Sequence, residues 1–182
     1  YNFIFNNILI FNKNNNDFYA LNLLGTFNGL IKNYAKAIKF QKLSIALNPF
    51  DANNYLNLSH TFKITNKNEL ALTLIEIAKL LDFKNITINK LLAEQYFKLN
   101  KIESSIKIYE YLIELNNNDI TIKLDYIKSL IKNDKIDKSL KLLETISYDR
   151  TFRDKILTLK GLAYFKIKNF EKAKKLIDDS LT

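Results

Sequence analysis

Several residue types are missing or rare in this 182-residue sequence. Cysteine, methionine and tryptophan are absent, and there are three glycines, one proline and one histidine. A chain without cysteine forms neither a disulfide nor a zinc site of the usual kind, and one histidine cannot build a histidine-based metal cluster. So few glycines and prolines argue against a barrel or sandwich with many turns. No uninterrupted apolar run approaches the length of a membrane span, so no transmembrane helix is predicted.

The start of the sequence is also informative. The opening YNFIFNNILIF lacks the basic start and the small-residue cleavage site of a signal peptide, and no methionine stands at the first position. We therefore expect the sequence to be a segment or a processed form of a longer protein.

The charge is basic and uneven. The net charge is +9, and residues 120–153 and 154–182 contribute +3 each. A basic balance favours acidic partners, such as nucleic acid, anionic lipid or an acidic peptide. Biased codon composition is the alternative explanation, because asparagine, lysine and isoleucine are abundant together. Net charge by itself does not choose between them.

One segment recurs along the chain. Residues 18–51, FYALNLLGTFNGLIKNYAKAIKFQKLSIALNPFD, have the pattern of two short helices joined by a tight turn, and Pro49 ends the unit because proline cannot extend a helix. The pattern starts again at 52, 86, 120 and 154, so the step from one unit to the next is constant. A fixed period of this size predicts a stacked array of helix pairs. An amphipathic helix at 1–13 precedes it as a half repeat within 1–17, with Asp17 as the cap of the next helix, which makes eleven helices in all.

Small residues occupy two columns of this alignment, where a column is the set of equivalent positions in successive units. Such residues let paired helices approach closely, while large apolar residues fill the grooves between pairs. The fourth repeat is the weakest copy of the pattern because Ile127 replaces a small residue, so the pattern does not predict its packing angle. The two columns are Gly25, Ser59, Ala93, Ile127 and Gly161, and Ala37, Ala71, Ser105, Ser139 and Ala173.

These columns resemble the tetratricopeptide repeat. The resemblance covers nearly the whole sequence, as five repeats (18–51, 52–85, 86–119, 120–153 and 154–182) after the half repeat. It implies an all-α fold, a right-handed superhelical α-solenoid whose first helices line a concave groove. It also implies a protein-binding scaffold without catalysis. It is carried by Leu24, Gly25, Ala37 and Pro49, by Tyr55, Leu58, Phe62 and Ala71, and by Gly161, Tyr164, Phe170 and Ala173.

Catalytic chemistry finds no support in the motifs. The sequence has no glycine-rich phosphate loop and no nucleophile with a base placed beside it, so we predict neither an enzyme nor a cofactor or metal site. His60 is expected on the groove surface rather than as a general base. Gly25 and Gly29 form a GxxxG pattern, which predicts close helix packing. The carboxylate clamp of some family members is rejected, because only Asn57 fits its set.

The C-terminal half of the predicted groove interleaves lysine with apolar side chains. This mixture suits an extended or helical acidic peptide with apolar side chains. A lysine-rich face that contacts only solvent is the alternative. The candidate peptide-binding residues are Lys90, Phe97, Lys98, Lys128, Ile131, Lys132, Lys155, Leu162, Phe165 and Lys166.

Three further possibilities stay open. A related helical-pair repeat binds single-stranded RNA and would suit a basic chain, although the period here is 34 rather than 35 and the groove lacks a regular polar pair. The array could serve as an accessory repeat domain of a transferase. Self-association through exposed terminal repeats is a third, because Leu176, Ile177 and Leu181 have no predicted helix to cover them.

Overall fold

The computed structural model describes residues 17–115, 118–146 and 150–181, and the predicted helix at 1–13 lies outside these ranges. Within them the secondary structure is helical throughout, with no strand. The described elements are α1 (Phe18–Leu30), α2 (Tyr34–Leu47), α3 (Ala52–Ile64), α4 (Asn68–Leu81), α5 (Ile86–Lys98), α6 (Ile102–Leu115), α7 (Ile120–Lys132), α8 (Ile136–Thr145), a 3₁₀ turn (Arg150–Phe152), α9 (Arg153–Lys166) and α10 (Phe170–Ser180).

The helices follow the predicted period. The second helices of the pairs begin at equivalent positions of successive repeats: Tyr34, Asn68, Ile102, Ile136 and Phe170. The first helices keep the same step from Phe18 to Ile120, and α9 begins at Arg153, next to the predicted start at 154. The all-α fold class is therefore confirmed. The grouping of the pairs into one array of repeats stays a prediction.

Aspartates begin several of the first helices. Asp17 caps α1 as predicted, since its Oδ1 accepts a hydrogen bond of 2.8 Å from the backbone N–H of Tyr19. Asp51 caps α3 in the same way, since its Oδ1 accepts a hydrogen bond of 2.9 Å from the backbone N–H of Asn53. The Asn54 side chain is buried and hydrogen-bonded elsewhere, so it is not available to cap a helix.

The turn between paired helices has one geometry throughout. At the C-terminal end of α1, the N–H of Lys32 donates to the carbonyl of Gly29, and the N–H of Asn33 donates to the carbonyl of Asn28. These two hydrogen bonds form the Schellman motif. It requires a left-handed residue, and Lys32 has φ of 61°. The residues with positive φ recur at the same step of the alignment: Lys32, Asn66, Asn100, Asp134 and Lys168.

The chain separates into two compact units, the first ending at Gln95 and the second beginning at Tyr96. In the first unit, Leu58, Phe62 and Ala71 form a buried cluster between α3 and α4. Each well-buried Leu or Phe contributes about 1.5–3 kcal/mol of stability. The small-residue columns act as predicted here, because a Cβ on Gly25 would lie 2.5 Å from Gln41 Cγ and Ala37 is fully buried.

A hydrogen-bond network also joins α1, α2 and α3 in the first unit. Asn22 Nδ2 donates to Asn54 Oδ1 at 2.7 Å, and Asn57 Nδ2 donates to Asn22 Oδ1 at 2.7 Å. Ser44 Oγ donates to Asn54 Oδ1 at 3.0 Å, and Asn54 Nδ2 to the Asn48 carbonyl at 3.1 Å. The network supplies the polar atoms of Asn54, which is fully buried, with the partners that burial requires.

The second unit has a larger apolar core between α7, α8 and α9. Ile127, which replaces a small residue of the pattern, is fully buried within that core. Gly161 packs closely on α10, since a Cβ there would lie 2.7 Å from Ile177 Cγ1. The core consists of Leu124, Ile127, Ile131, Ile136, Leu143, Ile146, Ile156, Leu159 and Ala163.

Three polar side chains link α6, α7 and α8 in the second unit. Tyr126 Oη and Lys138 Nζ both donate to Glu110 Oε1, at 2.7 and 3.0 Å. The hydrogen bond from Tyr126 holds the pKa of Glu110 below its usual range, and burial raises the pKa of Tyr126. Contacts with Tyr126 and Glu110 raise the pKa of Lys138. The three groups form a structural link that favours an ionised Glu110.

Candidate functional site

The predicted site in the second unit centres on one aromatic ring. Phe97 is half-buried near the end of α5, and Lys128 and Lys132 project from α7, one helical turn apart. Their Nζ atoms lie 5.1 and 4.7 Å from the centroid of the Phe97 ring. These distances are within the range of a cation–π interaction, which contributes about 0.5–1 kcal/mol at an exposed site. We call these three residues the lysine–phenylalanine cluster.

The two ammonium groups of the cluster are exposed, and neither forms an ion pair within the described ranges. Like charges one helical turn apart destabilise a helix by about 0.2–0.5 kcal/mol. The attraction of both groups to one ring offsets this repulsion and holds two cations at one place. The cluster is thus an apolar face with two adjacent positive charges.

The other predicted residues of the second unit have different surroundings. Lys166 donates to Asp134 Oδ1 at 2.8 Å, so its charge is already paired. Phe165 is 57% exposed and packs edge-on against Phe170, with ring centroids 5.5 Å apart. The remaining exposed side chains that could contact a partner are Lys98, Lys155 and Leu162.

Two predicted residues do not join this surface. Ile131 is 6% exposed and belongs to the core between α7 and α9, so its assignment to a binding surface is wrong. A residue adjacent to Lys132 in sequence points roughly a quarter-turn away on a helix, which here is into the core. Lys90 is half-buried in the first unit and is therefore described apart from the other nine.

An apolar cleft lies at the end of the second unit, with a volume of about 360 Å³. Phe165, Phe170 and Ile177 form most of its wall, and Ala173 lies at its base. Leu181 beyond it is 83% exposed. The expectation of uncovered apolar side chains on the last helix therefore holds for Ile177 and Leu181 within the described residues.

The first unit holds a smaller cleft, and His60, which was expected on the groove surface, is part of its lining. It has a volume of about 110 Å³ and lies among α1, α2 and α3. Its lining includes Gly29, Leu30, Gln41, His60 and Ile64. The GxxxG pattern, which was interpreted as close helix packing, contributes Gly29 to this lining. That interpretation holds at Gly25, but a Cβ on Gly29 would meet no atom within 4 Å.

Within the described residues, neither a metal-binding group nor a membrane-spanning helix is present. Among the residues that the structure describes, no group of three His, Cys, Asp or Glu side chains could hold a metal ion. None of the described helices has both the length and the apolar character needed to cross a membrane. The arrangement can offer apolar contacts, hydrogen bonds and positive charge.

Comparison with known proteins supports the predicted resemblance. The tetratricopeptide repeat family model matches residues 154–182. No curated protein matches the sequence. The solved structures described below have high TM-scores but low sequence identity to this chain, so the likeness shows the fold alone.

Three solved structures illustrate the likeness. YrrB, a TPR protein with an unusual peptide-binding site, has a TM-score of 0.79 and 16% identity, over 96% of this chain and 90% of that one. MamA has a TM-score of 0.74 and 19% identity, over 87% and 92%. A tetratricopeptide repeat protein from Parabacteroides merdae has a TM-score of 0.81 and 16% identity, over 90% and 65%.

Proposed function

We propose that this chain, whose helix pairs have the tetratricopeptide repeat fold, is a non-catalytic scaffold that binds a segment of a partner protein. The fold supports a role in protein–protein interaction. The binding surface that we assign is on the second unit, around the lysine–phenylalanine cluster, and the segment that it takes is acidic and partly apolar.

The cluster is the observation that carries this proposal. Lys128 and Lys132 place two unpaired ammonium groups within 5.1 and 4.7 Å of the centroid of one ring. A carboxylate docked between them would relieve their repulsion and accept hydrogen bonds from both, and charge-assisted bonds of this kind are stronger than neutral ones. The half-buried ring of Phe97 would meet an apolar side chain of the same segment. Exposed Lys98 next to it adds a third charge.

The two kinds of contact have different roles. Charges at the rim of an interface mainly set the rate and selectivity of encounter, whereas buried apolar anchors contribute more of the affinity. We therefore expect Lys128 and Lys132 to control association and Phe97 to control dissociation. The charge of Lys166 contributes less, since Asp134 already neutralises it.

Charge reversal with a matched control tests the proposal. The variant pairs Lys128→Glu with Lys132→Glu, and the control pairs Lys107→Glu with Lys141→Glu at exposed positions of α6 and α8. Both double variants change the net charge equally. Binding of labelled peptides rich in Asp, Glu, Leu and Phe is followed by stopped-flow fluorescence at low and high salt. We expect association with the first variant to be slower by about tenfold at low salt, with a smaller change in the control.

Two results would contradict this assignment. If the variant at Lys128 and Lys132 binds like the unmodified chain, the cluster is not the site. If both double variants lose binding equally, only net charge matters. Phe97→Ala provides the second arm and should speed dissociation with little change in association.

RNA binding is the second candidate, and the same cluster is the observation that favours it. Proteins bind single-stranded nucleic acid by stacking bases on aromatic rings beside positive charges. Titration of a labelled single-stranded RNA against the peptides decides between them, because tighter binding of the RNA would replace the first proposal. The absence of catalysis belongs to the proposal too, and turnover by the purified chain would contradict it.

A further inference from the structure

Gly29 lines the cleft of the first unit, and no packing contact requires glycine at this position. Gly29 lies in the last turn of α1, where glycine is less favourable than alanine. Gly25 one turn earlier has a reason to be glycine, because a Cβ there would lie 2.5 Å from Gln41 Cγ. At Gly29 a Cβ would meet nothing within 4 Å and would only fill the cleft. A bare backbone facing open space is what the close approach of a ligand requires.

The wall of the cleft carries a side-chain donor without an acceptor. Gln41 is 2% exposed, and its Oε1 accepts from Thr61 Oγ1 at 2.9 Å. Its Nε2 has no hydrogen-bond partner among the described residues. Because Gln41 lines the cleft, this N–H is available to a hydrogen-bond acceptor supplied by a ligand. Asn57 donates to Asn22 and keeps its own Oδ1 free to accept from a ligand N–H.

Size and charge restrict what the cleft can hold. Its volume of about 110 Å³ is well below the roughly 300–1,000 Å³ of sites for whole small molecules or cofactors. One aliphatic side chain is a better fit. No carboxylate, lysine or arginine lines the cleft, and exposed Leu30 and Ile64 form its apolar rim.

We propose that this cleft takes one aliphatic side chain, of valine or leucine size, from an extended and uncharged stretch of a partner protein. The flanking backbone carbonyl accepts from Gln41 Nε2, and the side chain lies on the backbone of Gly29. The inference rests on the proposed role in binding protein segments. It adds a second subsite, of opposite character to the lysine–phenylalanine cluster.

Nuclear magnetic resonance on the full chain tests this subsite with few assignments. Gly29 is one of three glycines and His60 is the single histidine, so both give identifiable signals at the cleft. The probes are blocked pentapeptides with two glycines on each side of a central Val, Leu, Asp, Lys or Phe. We expect saturable shifts of the Gly29 amide and the His60 ring with Val and Leu only. Equal shifts with Asp or Lys, or none with any peptide, would overturn the proposal.

Substitutions separate binding from structure. Gly29→Ala should raise the melting temperature. It should also weaken binding of the Val peptide by at least about tenfold, the effect expected of one misplaced methyl group in a fitted pocket. Gln41→Met should weaken the same peptide, and Lys39→Ala, at an exposed position of α2, should leave it unchanged. Undiminished binding by Gly29→Ala would refute the assignment. Failure here leaves the acidic-peptide test intact, because that test uses residues of the second unit.

Discussion

Lys32 follows α1 in a left-handed backbone conformation, and replacing it by glycine should stabilise the chain. Lys32 has φ of 61°, which its Schellman hydrogen bonds require. In that region the Cβ of an L-residue crowds its own carbonyl oxygen, at about 1–2 kcal/mol. Lys32→Gly removes this strain, but glycine gains freedom in the unfolded chain worth about 0.5–1 kcal/mol. The difference predicts a net stabilisation of roughly 0.5–1 kcal/mol.

The assay is urea and thermal unfolding followed by circular dichroism. For a chain of this size, 1 kcal/mol shifts the melting temperature by about 2–4 °C, so we expect a rise of about 1–4 °C. Lys39→Gly is the matched control, because it removes the same exposed side chain from the interior of α2 and should destabilise by about 1 kcal/mol. A result in which Lys32→Gly is no more stable than the unmodified chain would refute the reasoning.

Two further predictions follow from the packing and from the polar link. Gly25→Ala should destabilise by about 1–3 kcal/mol, because its Cβ would lie 2.5 Å from Gln41 Cγ; a variant no less stable than Gly29→Ala would contradict the contact. The lowered pKa of Glu110 means that its stabilisation is present above the unfolded pKa of about 4.3 and is lost as pH falls through the folded value. Glu110→Gln should therefore flatten this part of the acid limb, which urea midpoints measured against pH will show, and an unchanged slope would exclude the link.

The period was sufficient to predict the helices but not the role of each polar residue near their starts. One constant step places every second helix from Tyr34 to Phe170, since all pairs need the same length to pack. The role of Asn54 could not be predicted, because asparagine serves equally well as a helix cap and as a buried hydrogen-bonding residue. Which role Asn54 takes depends on Ser44, which lies on α2, and on Asn48, which caps the C-terminal end of α2.

The site was predicted only in outline for a similar reason. Lys132 and Lys166 share a column, yet one lies over Phe97 and the other pairs with Asp134. A column specifies the direction in which a side chain leaves the helix, while its partner depends on the conformation of a long flexible chain. Gly25 and Gly29 differ in the same way. Gly25 packs against Gln41 while Gly29 faces empty space, and the sequence alone does not distinguish the two positions.

The asparagine network of the first unit has a consequence for assembly of the chain. Helix pairs of a repeat protein are similar in shape, so two pairs that are not neighbours in the native fold can pack together by mistake during folding. Asn54 and Asn22 occur once in their columns; the equivalents of Asn54 are Ala20, Ile88, Ile122 and Ile156, and none of them can accept or donate through a side chain. A mis-stacked pair would bury the Asn54 amide against hydrocarbon, which is unfavourable. The network thus distinguishes one junction from the similar ones along the chain.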